Sequence, residues 1–192
     1  MKKNKTKKSK VHLGGYIPGG DKETWFPKLW KWAVKELKIK SVLDIGCGEG
    51  HSTKFFYDNG CEVLGIEGST QAIKDSPIAN KITCHDFCDG PYIPDKKYDL
   101  IWCCEFVEHV DKKYMKNFIQ TFKYGKYLFL THATPGQGGY HHVNEQPLTY
   151  WLKHIKKSGF IFLPELTLIA REKSINGFFL RSGLIFKNRY KK

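Results

Sequence analysis

Two stretches of this chain carry residue types that can do chemistry. The first, "LDIGCGEG", sets Asp44 before Gly46, Gly48 and Gly50, with Cys47 between the first two glycines. A glycine-rich turn lets a ligand lie against bare backbone, as in dinucleotide-binding loops. Those loops, however, space their glycines G-x-G-x-x-G, whereas here they fall at every second position and an acid precedes them. A buried negative group beside the turn suits a positively charged ligand better than a pyrophosphate. The second stretch, "GGYHHVNEQP" at 138–147, packs His141, His142, Asn144 and Glu145 between a glycine pair and a proline. Histidine, with an unperturbed pKa near ~6.5, can take a proton at neutral pH. Imidazole and carboxylate also bind several divalent ions. The segment therefore reads as a catalytic loop, a metal site or a polar loop.

Both stretches sit in a chain that alternates strand and helix. An amphipathic helix is expected over Thr24–Leu37, with Trp25, Leu29, Trp32 and Ala33 at near-helical spacing. Then "SVLDIG" reads as a strand, "EGHSTKFFYDNG" as a helix, "CEVLGIE" as a strand, and "STQAIKDS" as a helix capped by Ser69 or Thr70. "KITCHDF" gives a third strand and "YDLIWCCEFVEHV" a fourth. The helix "DKKYMKNFIQTFK", the strand "KYLFLTHA" and the helix "PLTYWLKHIKKSGF", stopped by Gly159, follow. The last pieces, "FIFLPELTLIAR" and "FFLRSGLIFKN", lack a crossover helix between them and should close the sheet as an antiparallel pair. This pattern predicts an α/β, Rossmann-like, doubly wound sheet, mostly parallel, with its ligand crevice at the carboxyl ends of the strands.

The 192 residues carry 32 Lys and Arg against 19 Asp and Glu, a net charge of +13. Six lysines fall in "MKKNKTKKSK", so residues 1–13 read as a disordered basic arm before a single domain at 14–192. A basic balance favours an anionic partner, and nucleic acid is the alternative partner for the arm. No apolar run approaches the ~20 residues that span a bilayer, and no secretory pattern precedes the domain. The six cysteines, scattered in such a chain, are expected as reduced thiols in a cytoplasmic setting. Cys84 and Cys88 lack the second pair that a zinc site needs.

"VLDIGCGEG", an acid closing the second strand, Asp-Phe after the third, and "YDLIWCCEFVEHV" together resemble the class I S-adenosylmethionine-dependent methyltransferases, specifically their type-11-like branch. The likeness runs roughly from Ser41 to Phe160. It implies a seven-stranded sheet with an antiparallel last strand and S-adenosylmethionine as cofactor. It also implies that Asp44 and the loop Gly46, Cys47, Gly48 and Gly50 hold the methionyl end, and that Glu67 accepts the ribose hydroxyls. Asp86 would meet the adenine amino group, with Ile66, Gly68 and Phe87 as walls. Cys104 and Glu105 would face the methionine and the acceptor. Their sequence departs from the Asn/Asp-Pro-Pro-aromatic signature of base N-methylation. Glu108–His109 matches the "EHV" of the branch, with His109 either in the pocket or capping a helix.

On this resemblance the loop 132–147 hangs over the reacting methyl group. His141 or His142 is then the expected base, with Glu145 and Asn144 orienting it and Tyr140 as a wall. Neighbouring side chains on an extended segment diverge, so one histidine of the pair should face the cofactor. His132, His141, His142 and Glu145 lack the regular spacing of a metal motif, and no metal is expected. Gly136, Gly138 and Gly139 would let the loop act as a lid. The implied activity is methyl transfer to oxygen or nitrogen of a small, sugar-like or otherwise anionic acceptor. The alternative is an RNA-binding protein, or an RNA cap or nucleotide methyltransferase, using the basic arm.

Overall fold

Hydrophobic residues on consecutive positions of a strand can be buried only if both faces of the sheet are covered, and this chain meets that condition throughout its centre. The computed structural model describes residues 10–189. Seven strands form one sheet: β1 (Ser41–Ile45), β2 (Glu62–Glu67), β3 (Ile82–Cys84), β4 (Tyr98–Cys103), β5 (Gly125–Leu130), β6 (Phe160–Phe162) and β7 (Leu184–Asn188). Their order is β3-β2-β1-β4-β5-β7-β6, parallel except that β7 runs antiparallel to both neighbours. The strand order reverses between β1 and β4, which pair directly. A crevice opens at such a point, because the following loops turn to opposite faces.

The side-chain period of two sorts each central strand between two cores. Ile101 and Cys103 of β4 pack with Leu128 and Leu130 beneath α4 (Met115–Phe122) and α5 (Leu148–Lys157). Leu100 and Trp102 face the other way with Val42, Phe129 and Ile185. They are covered there by α1 (Pro27–Glu36), α2 (His51–Asp58), α6 (Pro164–Lys173) and α7 (Phe178–Ser182). α3 (Thr70–Asp75) lies beside β2 and is capped by Ser69, whose hydroxyl accepts from Ala72 N at 3.3 Å.

Several boundaries differ from expectation, each for a local reason. α1 begins at Pro27, which favours the first helical position, and buries Leu29, Trp30 and Ala33; Trp25 lies outside it and is 48% exposed. β3 and β4 end at Cys84 and Cys103, and the rest of "EFVEHV" turns through a 3-10 segment at Val107–His109. Helix "DKKYMKNFIQTFK" opens with another such turn, so α4 starts at Met115. The largest correction is the tail. β6 and β7 do pair antiparallel, but two helices, α6 and α7, lie between them. Pro164 opens α6, and Thr167 and Ala170 turn inward on it. Residues 1–9 of the expected arm lie outside the described residues, while Val11–Leu13 form a 3-10 turn packed on the domain.

Phe179 ties α7 to the sheet. It is fully buried, stacks on Trp102 at 5.6 Å between ring centroids, and meets Phe26 and Phe129 edge-on or tilted. Phe179→Ala should therefore cost about 3–5 kcal/mol in urea unfolding, the range for a large aromatic deleted from a packed core. A cost below about 1 kcal/mol would mean that the α7 seat collapses freely.

Candidate active site

The reversal point opens into a cavity of about 640 Å³ between the carboxyl ends of β1, β2, β3 and β4 and two covering segments. One cover is the strap before α1, which contributes His12, Leu13, Tyr16, Ile17 and Trp25. The other is the loop after β5, which contributes Gln137, Gly138, Gly139, Tyr140 and His142.

The first wall grows from β1 and β2. Gly46 N and Cys47 N donate to Ile66 O at 2.9 and 3.2 Å, bending the chain tightly over the end of β2. Gly46 has φ +69°, and a Cβ there would come within 2.3 Å of the Phe106 ring, so both conformation and space require glycine. Glu67 fastens the loop: its Oε2 accepts from Gly48 N at 2.9 Å and its Oε1 from Ser69 N at 2.7 Å. Burial pushes the Glu67 carboxyl upward, and these backbone amides partly offset it. Asp44, 2% exposed, accepts from the Ser52 and Thr53 hydroxyls at 2.6 and 2.7 Å, which ties β1 to the first turn of α2. Asp86 and Phe87 complete the wall after β3. Asp86 Oδ2 takes Lys10 Nζ at 2.7 Å and His12 Nε2 at 2.9 Å, and its Oδ1 accepts from Cys88 N. Partial burial raises the Asp86 carboxyl, but the Lys10 cation and the other donors outweigh it and hold the group well below the usual range.

The second wall rises from β4 and β5. Cys104 accepts from the Thr131 hydroxyl at 3.4 Å. Glu105 has φ +49°, a conformation that costs a side-chain-bearing residue about 1–3 kcal/mol and clusters at functional sites. Its Oε2 accepts from Gln137 Nε2 at 3.2 Å. Glu108 is fully buried, and its backbone carbonyl accepts from both Val143 N and Asn144 N at 3.0 Å, which docks the second loop onto the 3-10 turn. His109 is pushed down to about 4, first by burial and then by His142 nearby.

Of the predicted site residues, Asp44, Gly46, Cys47, Gly48, Glu67, Gly68, Asp86, Phe87, Cys104, Glu105 and His142 all line this cavity; Gly50, His141 and Glu145 do not. Gly50 instead starts α2 in a left-handed conformation. His142 sits inward, its ring 4.9 Å from that of His109, whereas His141 at φ +52° turns towards His12, 6.2 Å away between rings. Glu145 is a positioning residue. Its carboxylate bonds His142 Nδ1 at 3.0 Å and accepts from Gly136 N and Gly138 N at 2.8 and 2.7 Å, so it pins the loop on which His142 stands. Asn144 Nδ2 donates to Val107 O at 3.3 Å and anchors the same loop. His109 lines the cavity. The strap residues and the buried state of Glu108 are the features that sequence reasoning missed. The i, i+3 spacing of Glu105 and Glu108 was the available signal.

Asp44 offers a direct check on this burial. Desolvation lifts its carboxyl from 3.8 to about 6, against the Ser52 and Thr53 hydroxyls. An acid whose folded pKa lies above its unfolded value stabilises the fold below the unfolded value and loses that contribution as pH rises through the folded one. Two units correspond to about 3 kcal/mol. In urea unfolding of the ligand-free protein, Asp44→Asn should gain on the wild type by up to about 3 kcal/mol between pH 4 and 7. A pH-independent difference would show that Asp44 ionises freely.

Comparison with known proteins agrees with this geometry. A family model described as a methyltransferase domain matches residues 21–172. Tocopherol O-methyltransferase of Arabidopsis thaliana is 35% identical over 89 residues, 41% of this chain and 25% of that protein. Sphingolipid C9-methyltransferase of Komagataella phaffii is 34% identical over 133 residues, 57% of this chain and 27% of that protein. The chain thus spans about a quarter of the length of these relatives. Among solved structures, the plantazolicin methyltransferase BpumL in complex with S-adenosylhomocysteine superposes with a TM-score of 0.58 at 17% identity, over 85% of this chain and 83% of that one. At that identity the likeness shows the fold. Fold, cavity and family match together assign the chain to the methyltransferase-domain family, in its class I, S-adenosylmethionine-dependent form.

Proposed function

We propose that this chain transfers a methyl group from S-adenosylmethionine to a hydroxyl oxygen of a small acceptor. The observation that carries this reading is the convergence of Asp44, the glycine loop, Glu67 and Asp86 on one wall of a cavity whose opposite wall holds Glu105, His109 and His142. In this reading the loop backbone and Asp44 take the methionyl end, where acids suit an ammonium group. Glu67 offers the ribose hydroxyls the lone pairs left by Gly48 and Ser69, since a carboxylate has about four acceptor sites. Asp86 and Phe87 take the adenine, with Lys10 and His12 closing over them. Cys104 and Glu105 stand beside the transferable methyl.

The sulfonium already activates its own methyl group, so the protein's tasks are to align the acceptor in line with it and to exclude water. The strap and the loop after β5 serve both ends by roofing the cavity. The aromatic surfaces of Tyr16, Trp25, Tyr140 and Phe178 favour an acceptor with an apolar portion. The two relatives, named for tocopherol and a sphingolipid, support that choice over a sugar-like one. Among the described residues no helix is long and apolar enough to cross a membrane.

A nucleotide or RNA acceptor is the second reading, favoured by the +13 net charge and the six lysines in the first ten residues. Removing residues 1–9 separates the two: an RNA methyltransferase should lose affinity and salt dependence for RNA, whereas a small-molecule enzyme keeps its turnover. The cofactor assignment itself is tested by Glu67→Ala, which should weaken S-adenosylmethionine by about 1–3 kcal/mol in calorimetry, the usual cost of stranding a hydrogen-bonding partner. Unchanged affinity would remove the assignment.

A further inference from the structure

Glu108 lies wholly inside the protein, yet neither of its carboxylate oxygens has a hydrogen-bond partner. Glu105 Oε1 and His109 Nδ1 are buried in the same condition. Ionised carboxylates only accept hydrogen bonds, so two of them facing each other without a donor require a proton or a cation between them. Glu105 and Glu108 stand three residues apart on the turn that follows β4. Donor atoms of Glu108, His109 and His142 all lie within 4.8 Å of one another. Ligands about 2.1 Å from a common ion are separated by up to about 4.2 Å, so small side-chain adjustments would bring all three onto one ion.

The surroundings also fit ligation. Glu145 engages His142 Nδ1, which fixes the ring and leaves Nε2 as the free donor, the carboxylate–histidine arrangement that supports metal ligands. His109 lines the cavity, and its buried Nδ1 has no partner of its own. None of these features is used by the cofactor wall.

We propose that Glu105, Glu108, His109 and His142 bind one divalent transition-metal ion, whose open position faces the cavity and takes an oxygen of the acceptor. Two carboxylates and two imidazoles form a mixed oxygen and nitrogen set that suits Mn²⁺, Fe²⁺, Co²⁺ or Zn²⁺. Coordination lowers the pKa of a bound hydroxyl. The acceptor oxygen then forms its bond to the methyl carbon as the carbon–sulfur bond breaks. That electron pair returns to sulfur, leaving the neutral thioether, and the hydroxyl proton passes to solvent. This use of the ion rests on the methyl-transfer reading; the binding of the ion does not.

The test is titration of the full chain, first treated with a chelator, with Co²⁺ followed by visible absorption and with Mn²⁺ followed by electron paramagnetic resonance, both without cofactor. One ion per chain is expected, with at least tenfold weaker binding in Glu108→Gln and in His142→Ala. Glu108→Gln removes a buried charge and should fold at least as well as the wild type. A second group able to hold an ion, His12, Asp86 and Cys88, is controlled by Cys88→Ser, which should leave affinity unchanged. No binding at millimolar Co²⁺ or Mn²⁺, or equal binding in both site variants, would overturn the proposal. Titration of the chelated protein with S-adenosylmethionine separates the two claims: cofactor binding without metal binding sinks only the metal site, and the reverse sinks only the cofactor reading.

Discussion

Because helices cover both faces of the sheet, a polar side chain on a central strand is tolerated only where the strand runs out and the chain leaves the core. β1 and β4 are such strands: Val42, Leu43, Leu100 and Ile101 are fully buried, Ser41 and Asp99 lie at the opening ends, and Asp44 and Glu105 lie near or just beyond the carboxyl ends. The two strands are neighbours whose following segments part to opposite faces. That parting makes the cavity, and Asp44, Glu67, Asp86 and Glu105 are delivered into it. The strap and the loop after β5 then close what the topology leaves open.

The site is held at a cost to the fold. Asp44, Glu67, Glu105 and Glu108 are all pushed upward by burial, so each is harder to ionise than the same group in water. Glu105 adds backbone strain. A ligand carrying positive charge, whether an ammonium, a sulfonium or a metal ion, relieves the burial cost, and perturbed acids gathered in a cleft mark functional sites for this reason. The partners of Asp44, Glu67 and Asp86 are hydroxyls, amides and the strap cation. These partners shape the wall that carries the three acids, whereas the Glu108 carboxylate has none.

Much of this was legible from sequence because it depends on local pattern. The alternation of strand and helix, the acid before the spaced glycines, and the acids ending β2 and following β3 are all short-range signals, and they converge on one cavity in the fold. The tail departs from that pattern because "FIFLPELTLIAR" is as apolar as a strand; its helix is set by Pro164 and by packing of Thr167 and Ala170 on distant residues. Spacing points to Trp25 and Trp32 for the inner face of α1, whereas Trp30 is the buried one, a choice made by Phe55, Phe56 and Trp102 across the core. Which histidine of the pair points inward depends on the positive φ of His141 and on the clasp of Glu145, neither of which spacing reveals. The approach of Lys10 and His12 to Asp86 spans more than seventy residues and left no local trace.

The most direct measurement of the central claim is calorimetric titration of the wild-type chain with S-adenosylmethionine and, separately, with NADH. Saturable binding of one S-adenosylmethionine per chain, with no NADH binding, is the result the glycine spacing and the acid-lined wall predict. Binding of NADH instead, or of neither ligand, would contradict the reading of this cavity as a methyl-donor site.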